Sequence, residues 1–336
     1  MAGCSATSLL LVITPLLASA ICPDDSAACS GVQPDELPAL ATELLQHTLQ
    51  LEQPLQFSAE ATPLLEATKP LRWLHVPKTG SSWINVLIHT PSMCPFLPHG
   101  IVVDKEQFCQ SCDDTQLGIL EHFYLHFNTT VSCPGSFGSP ENPPYYHRAI
   151  GSRLADYAGH GLTMLRNPES RMASSWHYMK WDWPHLGNRP PRDLEDYKNV
   201  TQGCYVRALT FETVDPPYLS FCHIKATLDN GVSPESVKEA KRRLDTLVFV
   251  GITEEWDLSV CLWRVMFGGL CYGSDMEKIR ASPEPYTVDL GGFIDKADHE
   301  IYEHGQKIFE RNKMKYGVSR SSCQPCFEHA RTHWAP

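Results

Sequence analysis

"SRLADYAGHGLTMLRNPESRMASSWHYMK", residues 152–180, is the stretch that decides the fold class. It opens with a short helical pattern, continues as the apolar run LTML, and then takes on the spacing of a helix. Asn167 is a favoured N-cap residue and Pro168 is favoured in a first helical turn, so a second helix is predicted to begin there. A buried strand between two helices predicts a parallel sheet with helical crossovers.

The same alternation recurs on both sides of this stretch. Strands are predicted at LRWLHV (71–76) and TLVFVGI (246–252), and helices at SSWINVLIH (81–89), PESVKEAKRRL (234–244), EEWDLSVCLWRVMF (254–267) and the final amphipathic run that ends at Gly317. We therefore predict an α/β fold, with three α/β/α layers around a central, mainly parallel sheet.

Composition and the N-terminal sequence limit the possible cellular compartment and the possible binding partners. The net charge of −11 argues against a general electrostatic grip on nucleic acid. Residues 1–20 carry no charged side chain and end in Ala-Ser-Ala, which predicts a cleaved secretory signal, with an uncleaved membrane anchor as the alternative. Thirteen cysteines favour an oxidising compartment. We expect a protein of the secretory pathway, lumenal in the Golgi or secreted.

The rest of the chain divides into an N-terminal extension (21–69), one large domain (70–320) and a C-terminal tail (321–336). Residues 181–199 are rich in proline and charge and predict a surface loop. Cys261 and Cys271 are close enough in sequence to pair, while Cys109/Cys112 and Cys323/Cys326 could each bond elsewhere. These two CxxC pairs lie too far apart for the usual zinc spacing, so no metal is expected.

The turn PKTG (77–80) follows the first predicted strand and has the chemistry of an anion site. Backbone N–H groups at a glycine-bearing turn before a helix suit a phosphate, and Lys78 adds a positive charge. The Walker pattern is absent because the lysine precedes the glycine. Taken alone, such a sequence is more often only a turn.

A second candidate anion site follows the strand LTML. Arg166 ends that strand, at the rim where open α/β sheets bind ligands, and its planar fork suits phosphate. Ser174 follows eight residues later in the next predicted helix. Separately, Arg166 could pair with an acid and Ser174 could be a surface residue. Two anion-suited motifs at one sheet edge instead indicate a ligand with two phosphates.

Together the motifs resemble those of the sulfotransferases that use 3′-phosphoadenosine 5′-phosphosulfate (PAPS). PKTGSSW (77–83) resembles the 5′-phosphosulfate loop of that family and RNPESRMAS (166–174) its 3′-phosphate motif. Residues 247–269 and 299–312 resemble later helices of lumenal, carbohydrate-type members. The resemblance implies a P-loop-like sulfotransferase fold with PAPS as co-substrate. It also implies transfer of the sulfuryl group to a hydroxyl of a glycan or a secreted small molecule.

The resemblance also assigns roles to residues. Lys78 would contact the phosphosulfate and its bridging oxygen, and Thr79, Gly80, Ser81 and Ser82 would cradle the 5′-phosphate. Trp83 would stack on adenine, and Arg166 and Ser174 would hold the 3′-phosphate. The family's C-terminal RKGxxG loop is absent, and Arg320 is a candidate for a comparable contact. Arg171 could reach the phosphate or pair with an acid.

Sulfuryl transfer also needs a base for the acceptor hydroxyl. We predict His147, which ends a predicted strand before Arg166 and has a side chain whose pKa suits proton transfer near neutral pH. Glu121 and His122 are the competing candidates. The aromatic residues Trp176, Tyr178, Trp181 and Trp183 could form the floor of an acceptor site or simply pack in the core and loop.

Two other functions remain open from the sequence. One is a non-catalytic nucleotide- or glycan-binding protein of the secretory pathway. The other is a lumenal kinase, which is disfavoured because neither a Walker lysine nor an obvious Mg²⁺-binding acid follows the loop. In every case we expect no nucleic-acid partner, and membrane association only if residues 1–20 remain uncleaved.

Overall fold

The fold is seen in a computed structural model that describes residues 54–95, 100, 102, 149–179, 191–211, 232–277 and 287–336, with side chains of the fourth range described to residue 177. One compact unit spans Leu55–Pro336. The predicted signal or anchor at 1–20 lies outside the described residues. So do the base candidates His147, Glu121 and His122.

In the described residues, the centre of the unit is a small parallel sheet of three strands. They are β1 (Arg72–Leu74), β2 (Gly161–Leu165) and β3 (Phe249–Ile252), hydrogen-bonded in the order β1-β2-β3. Thr163 of β2 is aligned with Leu74 on one side and with Val250 on the other. β1 and β3 lie within segments predicted as strands, and β2 contains the predicted strand LTML and begins one residue earlier, at Gly161. The apolar composition of the strands agrees with burial of a parallel sheet on both faces. The α/β class is therefore confirmed.

Helices account for most of the other described residues. In chain order they are α1 (Pro63–Thr68), α2 (Trp83–Ile88), α3 (Leu154–Tyr157), α4 (Pro168–Met179), α5 (Leu194–Thr201), α6 (Cys204–Thr210), α7 (Pro234–Leu244), α8 (Trp256–Phe267), α9 (Gly273–Met276), α10 (Lys296–Tyr316) and α11 (Gln324–Thr332). Short 3₁₀ turns at Gly151–Arg153 and Thr253–Glu255 precede α3 and α8.

Capping residues explain where the main helices begin and end. The Asn167 side chain accepts the N–H of Ser170 at 2.9 Å, so α4 begins where the sequence predicted. Ser233 and Ser236 form a capping box at the start of α7. Gly317 adopts the left-handed conformation (φ 66°) that ends α10, as predicted.

One prediction about local structure is wrong. Residues 194–199 belong to α5 and not to a surface loop, because the Asp193 side chain caps the helix by accepting the N–H of Asp196 at 2.8 Å. Tyr197 and Lys198 on that helix are buried. Residues 181–190 of the predicted loop lie outside the described residues. None of the helices in the described ranges is long and apolar enough to cross a membrane.

Both ends of the compact unit are attached to the same core. The N–H of Leu55 donates to the carbonyl of Ser322 at 2.8 Å, and Ala61 pairs with Gly268 in an antiparallel bridge. The unit is therefore longer than the predicted 70–320 domain, and residues 55–69 and 321–336 are part of it.

Two disulfides connect the C-terminal helix to the centre of the unit. Cys261 of α8 bonds Cys323, and Cys271 bonds Cys326 of α11. The pairing of Cys261 with Cys271 is therefore wrong, because each bonds one cysteine of the C-terminal CxxC pair. Disulfides agree with a lumenal or secreted environment.

Candidate anion-binding site at the sheet edge

The candidate site lies at the carboxyl edge of the sheet, where three segments leave parallel strands. Residues 75–82 follow β1, Arg166 follows β2 directly, and Thr253 follows β3 directly. Parallel strands present their carboxyl ends at the same edge, which is the usual ligand-binding edge of open α/β sheets.

Side-chain hydrogen bonds join these three segments. Nη1 of Arg166 donates to the main-chain carbonyl of Lys78 at 3.3 Å. Oγ1 of Thr253 donates to the carbonyl of Thr79 at 2.5 Å. The structure therefore brings together the two cationic residues that the sequence placed in separate motifs.

The turn after β1 has the backbone shape that an anion site needs. Lys78 and Gly80 both have positive φ angles, 67° and 112°. Within the described part of the chain, the N–H groups of Thr79, Gly80 and Ser81 donate no hydrogen bond to a protein group. Consecutive N–H groups in such a turn can form a concave site for an anion. The turn therefore offers three main-chain donors beside two cationic side chains.

The side chains of the turn differ in how they can contribute. Lys78, Gly80 and Ser81 are partly exposed, whereas Thr79 and Ser82 are buried. The hydroxyl of Thr79 already donates to the carbonyl of Val76 at 2.8 Å, which leaves its main-chain N–H for a ligand. The following helix α2 is only six residues long, so its dipole adds little, and the turn itself supplies the positive potential.

The predicted role of Trp83 is corrected by the structure. Its ring is fully buried and lies 5.5 Å from the rings of Phe249 and Trp256 and 5.8 Å from that of Trp263, centroid to centroid. The packing of α8 against the sheet encloses the indole in this aromatic cluster. Trp83 is therefore a core residue, and its ring has no face open for an adenine.

Two residues that the sequence reasoning missed hold the main chain at Arg166. The hydroxyl of Tyr205 lies 3.0 Å from the main-chain nitrogen of Arg166 and 2.5 Å from its carbonyl oxygen. Oε1 of Glu254 accepts the N–H of Asn167 at 2.9 Å, and its Oε2 accepts the hydroxyl of Tyr302 at 2.9 Å. Glu254 follows a predicted strand, so its place at the sheet edge could have been inferred, whereas nothing in the sequence marks Tyr205.

A buried ionic cluster lies behind Tyr205. Asp298 accepts the Tyr205 N–H at 2.9 Å and lies 3.7 Å from Nη2 of Arg171. Arg171 is fully buried, so its alternative role of pairing with an acid is the one observed. Burial and the neighbouring carboxylate of Asp295 raise the pKa of Asp298 to about 7, although Arg171 acts in the opposite direction.

Ser174 is not joined to the other predicted site residues by any contact in the described ranges. It lies on α4 and is 7% exposed. The rise of an α-helix places it roughly 10 Å along the axis from the helix start at Asn167. A ligand would have to extend along α4 to contact both Ser174 and Arg166.

The remaining predicted contacts fall elsewhere. Arg320 is 65% exposed and pairs with Glu255 at 3.3 Å and more loosely with Asp257 at 4.0 Å. The Trp176 ring packs against that of Tyr197 at 5.1 Å, as the core-packing interpretation expected. The side chains of Tyr178, Trp181 and Trp183 lie outside the described residues.

The ligand chemistry of this site is indicated by its geometry and not by similarity to known proteins. Comparison of the chain with protein-family models, with curated proteins and with solved structures found no match. The described residues place one lysine, one arginine and three main-chain N–H donors at a single sheet edge. Donors of these kinds suit an oxyanion such as phosphate or sulfate.

Proposed function

We propose that the protein is a PAPS-dependent sulfotransferase with a P-loop-like sulfotransferase fold. The observation that carries this proposal is the hydrogen bond from Arg166 to the carbonyl of Lys78, which joins the two motifs at one edge of a parallel sheet. A nucleotide with phosphates at both its 3′ and 5′ positions needs two neighbouring anion sites of this kind. The acceptor is a hydroxyl of a glycan or of a secreted small molecule.

Lys78 and the adjacent N–H groups act on the departing phosphate. In sulfuryl transfer the acceptor oxygen forms a bond to sulfur while the bond between sulfur and the bridging phosphate oxygen breaks. Negative charge then accumulates on that phosphate oxygen, and a fixed cation with N–H donors stabilises it more than it stabilises the substrate. Thr79, Gly80 and Ser81 contribute through the backbone, and Ser82 supports the turn.

Arg166 takes the 3′-phosphate, and its orientation depends on Tyr205 and Glu254 through the main chain. Ser174 is the proposed second contact to that phosphate. His147 removes the acceptor proton, with Glu121 and His122 as the alternative bases. The two disulfides support the proposed location in the Golgi lumen or outside the cell, reached by way of the signal at residues 1–20.

Radiolabelled transfer tests this proposal directly. The secreted chain is incubated with ³⁵S-labelled PAPS and a panel of glycan and small-molecule acceptors, alongside Lys78→Ala and His147→Ala. Lys241→Ala is the matched control, because Lys241 lies on α7 and, among the described residues, its ammonium pairs with the exposed Glu300. We expect transfer by the parent and by the control, and a loss of at least 100-fold for Lys78→Ala. Undiminished transfer by Lys78→Ala would remove Lys78 from the mechanism.

Calorimetry with 3′,5′-ADP distinguishes the alternative functions. Binding that Lys78→Ala weakens, without turnover on any acceptor, would support a non-catalytic nucleotide-binding protein. Tighter binding of ATP than of PAPS would instead favour a lumenal kinase.

A further inference from the structure

A second candidate binding site lies in a cavity of about 560 Å³ beside the C-terminal helix α11. Its walls come from the first turn of α8, from α9 and from α11 with the residues that follow it. The apolar surface of this cavity comes from Phe327, Met276 and Trp334, and Asp257 is one of its acidic residues. The cavity has the volume of a small-molecule site.

Trp334 is an exposed aromatic ring on a fixed backbone. Its carbonyl accepts the N–H of Ser274 at 2.9 Å, and the carbonyl of His333 accepts the N–H of Gly273 at 2.9 Å. The indole rests against Gly273, where an added Cβ would lie 2.9 Å from Cε3 of Trp334. The residue nevertheless remains 46% exposed. Single exposed apolar residues are common, but one held in place at the wall of a cavity is ready to stack on a ligand.

The polar residues of the lining that the structure describes are balanced in charge. Asp257 and Glu277 oppose Arg320 and Arg331, and Gln324 adds an amide. A strongly anionic ligand would meet the two carboxylates, and a cationic one would meet the two guanidinium groups. Carboxylates that accept, guanidinium groups that donate and an amide that does both, beside an aromatic ring, suit a neutral ligand rich in hydroxyl groups that also has an apolar face. A saccharide has both properties.

The wall formed by α11 is held rigidly. Cys323 and Cys326 at its start are disulfide-bonded to Cys261 and Cys271. Binding therefore requires little ordering of this wall, which lowers the entropic cost of capturing a weakly interacting ligand such as a sugar.

A short stretch of chain links the cavity to the sheet-edge site. Thr253 at one end of that stretch is bonded to Thr79 of the anion-binding turn, and Asp257 at the other end lines the cavity. Four residues of helical chain cover roughly 6–8 Å. A saccharide chain of a few units could therefore extend from the cavity toward the sheet edge.

We propose that this cavity binds a neutral saccharide unit, with Trp334 as the stacking platform and the surrounding carboxylate, amide and guanidinium groups as hydroxyl partners. Its description as a subsite for a glycan acceptor rests on the proposed function, whereas saccharide binding itself does not.

Binding in the absence of nucleotide tests the site. The full secreted chain is titrated with neutral β-linked tetrasaccharides of galactose, glucose and N-acetylglucosamine, and with a sialylated tetrasaccharide, by saturation-transfer NMR and calorimetry. We expect saturable binding of at least one neutral probe and a loss of affinity of at least tenfold in Trp334→Ala. Met314→Ala, an exposed apolar residue on α10, should bind like the parent.

The outcomes separate this inference from the proposed function. No saturable binding of any neutral probe, equal binding by Trp334→Ala, or tighter binding of the sialylated probe would each overturn the saccharide site. Failure of 3′,5′-ADP to bind, with saccharide binding intact, would overturn the sulfotransferase and leave the saccharide site standing. Melting temperatures of both variants verify that each is folded.

Discussion

The guanidinium of Arg166 donates to the main-chain carbonyl of Lys78 across 3.3 Å, so two cationic residues 88 positions apart in sequence share one edge of the sheet. Neither residue is fully buried. An anion that binds only the folded protein at this edge would stabilise it by mass action.

Replacing Arg166 with lysine keeps the charge but removes the planar fork. We expect 3′,5′-ADP to bind at least tenfold more weakly to Arg166→Lys, about 1.4 kcal/mol, because a single ammonium cannot form two parallel hydrogen bonds to a phosphate. Calorimetry measures the change. Arg242→Lys on the exposed face of α7 is the control, and equal affinities for the two variants would argue against a phosphate at Arg166.

Tyr205→Phe removes the hydroxyl that holds the Arg166 main chain. A looser Arg166 should raise the KM for PAPS several-fold while kcat at saturating PAPS changes little, because binding selects the ordered conformer. Steady-state kinetics separate the two constants. Tyr316→Phe at the end of α10 serves as the comparison. A purely structural role for Tyr205 would lower the melting temperature without moving KM.

Gly80→Ala should destabilise the protein more than Gly159→Ala. Both glycines have positive φ, so both alanines strain the backbone. Only at Gly80 would the new Cβ also meet a neighbour, 2.5 Å from Cζ3 of the Trp256 ring, whereas nothing lies within 4 Å at Gly159. We expect a loss of about 1 kcal/mol for Gly159→Ala and about 2–4 kcal/mol for Gly80→Ala in denaturant unfolding. Equal losses would mean that Trp256 moves aside without cost.

The pH dependence of the protein's stability should reflect the raised pKa of Asp298. Its pKa is raised to about 7 in the folded protein by burial and by Asp295, against about 3.9 in an unfolded chain. Between those values the folded state binds more protons, so the free energy of unfolding contributed by this group falls as the pH rises from about 4 to 7. Asp298→Asn should flatten that part of the stability curve. Asp156→Asn on the exposed face of α3 should leave the slope unchanged, and a parent slope retained by Asp298→Asn would assign the effect to another group.

Replacing both Cys261 and Cys323 with serine, which removes their disulfide, should lower the stability of the protein. Cross-linking a chain segment of 62 residues restricts the unfolded state by about 4 kcal/mol in the loop-entropy model, and the second disulfide, which closes much of the same loop, reduces that figure. Thermal unfolding of the double variant measures the loss. A melting temperature equal to that of the parent would show that the Cys271–Cys326 bond alone fixes α11.

Most of the described fold was predictable from local signals in the sequence. The three strands, the cap at Asn167, helix α7 and the terminating Gly317 were all predicted, because apolar runs and capping residues act over a few neighbouring positions. Helix α5 was not predicted, because its sequence is polar and the helix is indicated only when the capping residue Asp193 is considered with it.

Properties that depend on distant partners were not predictable in this way. The sequence around Trp83 does not show whether its ring faces solvent or the core. The ring is buried because Trp256 and Trp263 of α8 pack against it. Cys261 and Cys271 lie close in sequence, yet both bond to α11 because that helix lies across them in the fold. The contact between Lys78 and Arg166 was foreseeable, since both follow parallel strands.

The attachment of α11 to α8 and to Cys271 sets the order in which the protein can be completed. Ser322, Cys323 and Cys326 leave the ribosome well after Leu55, Cys261 and Cys271, which they meet in the folded unit. Until Cys323 and Cys326 emerge, the nascent chain exposes two thiols that lack these partners and the apolar surface that α11 will cover. Disulfide exchange enzymes and chaperones can act on it during that interval. These two disulfides therefore form late in folding, and a chain that stops short of Cys323 would leave Cys261 and Cys271 without their native partners.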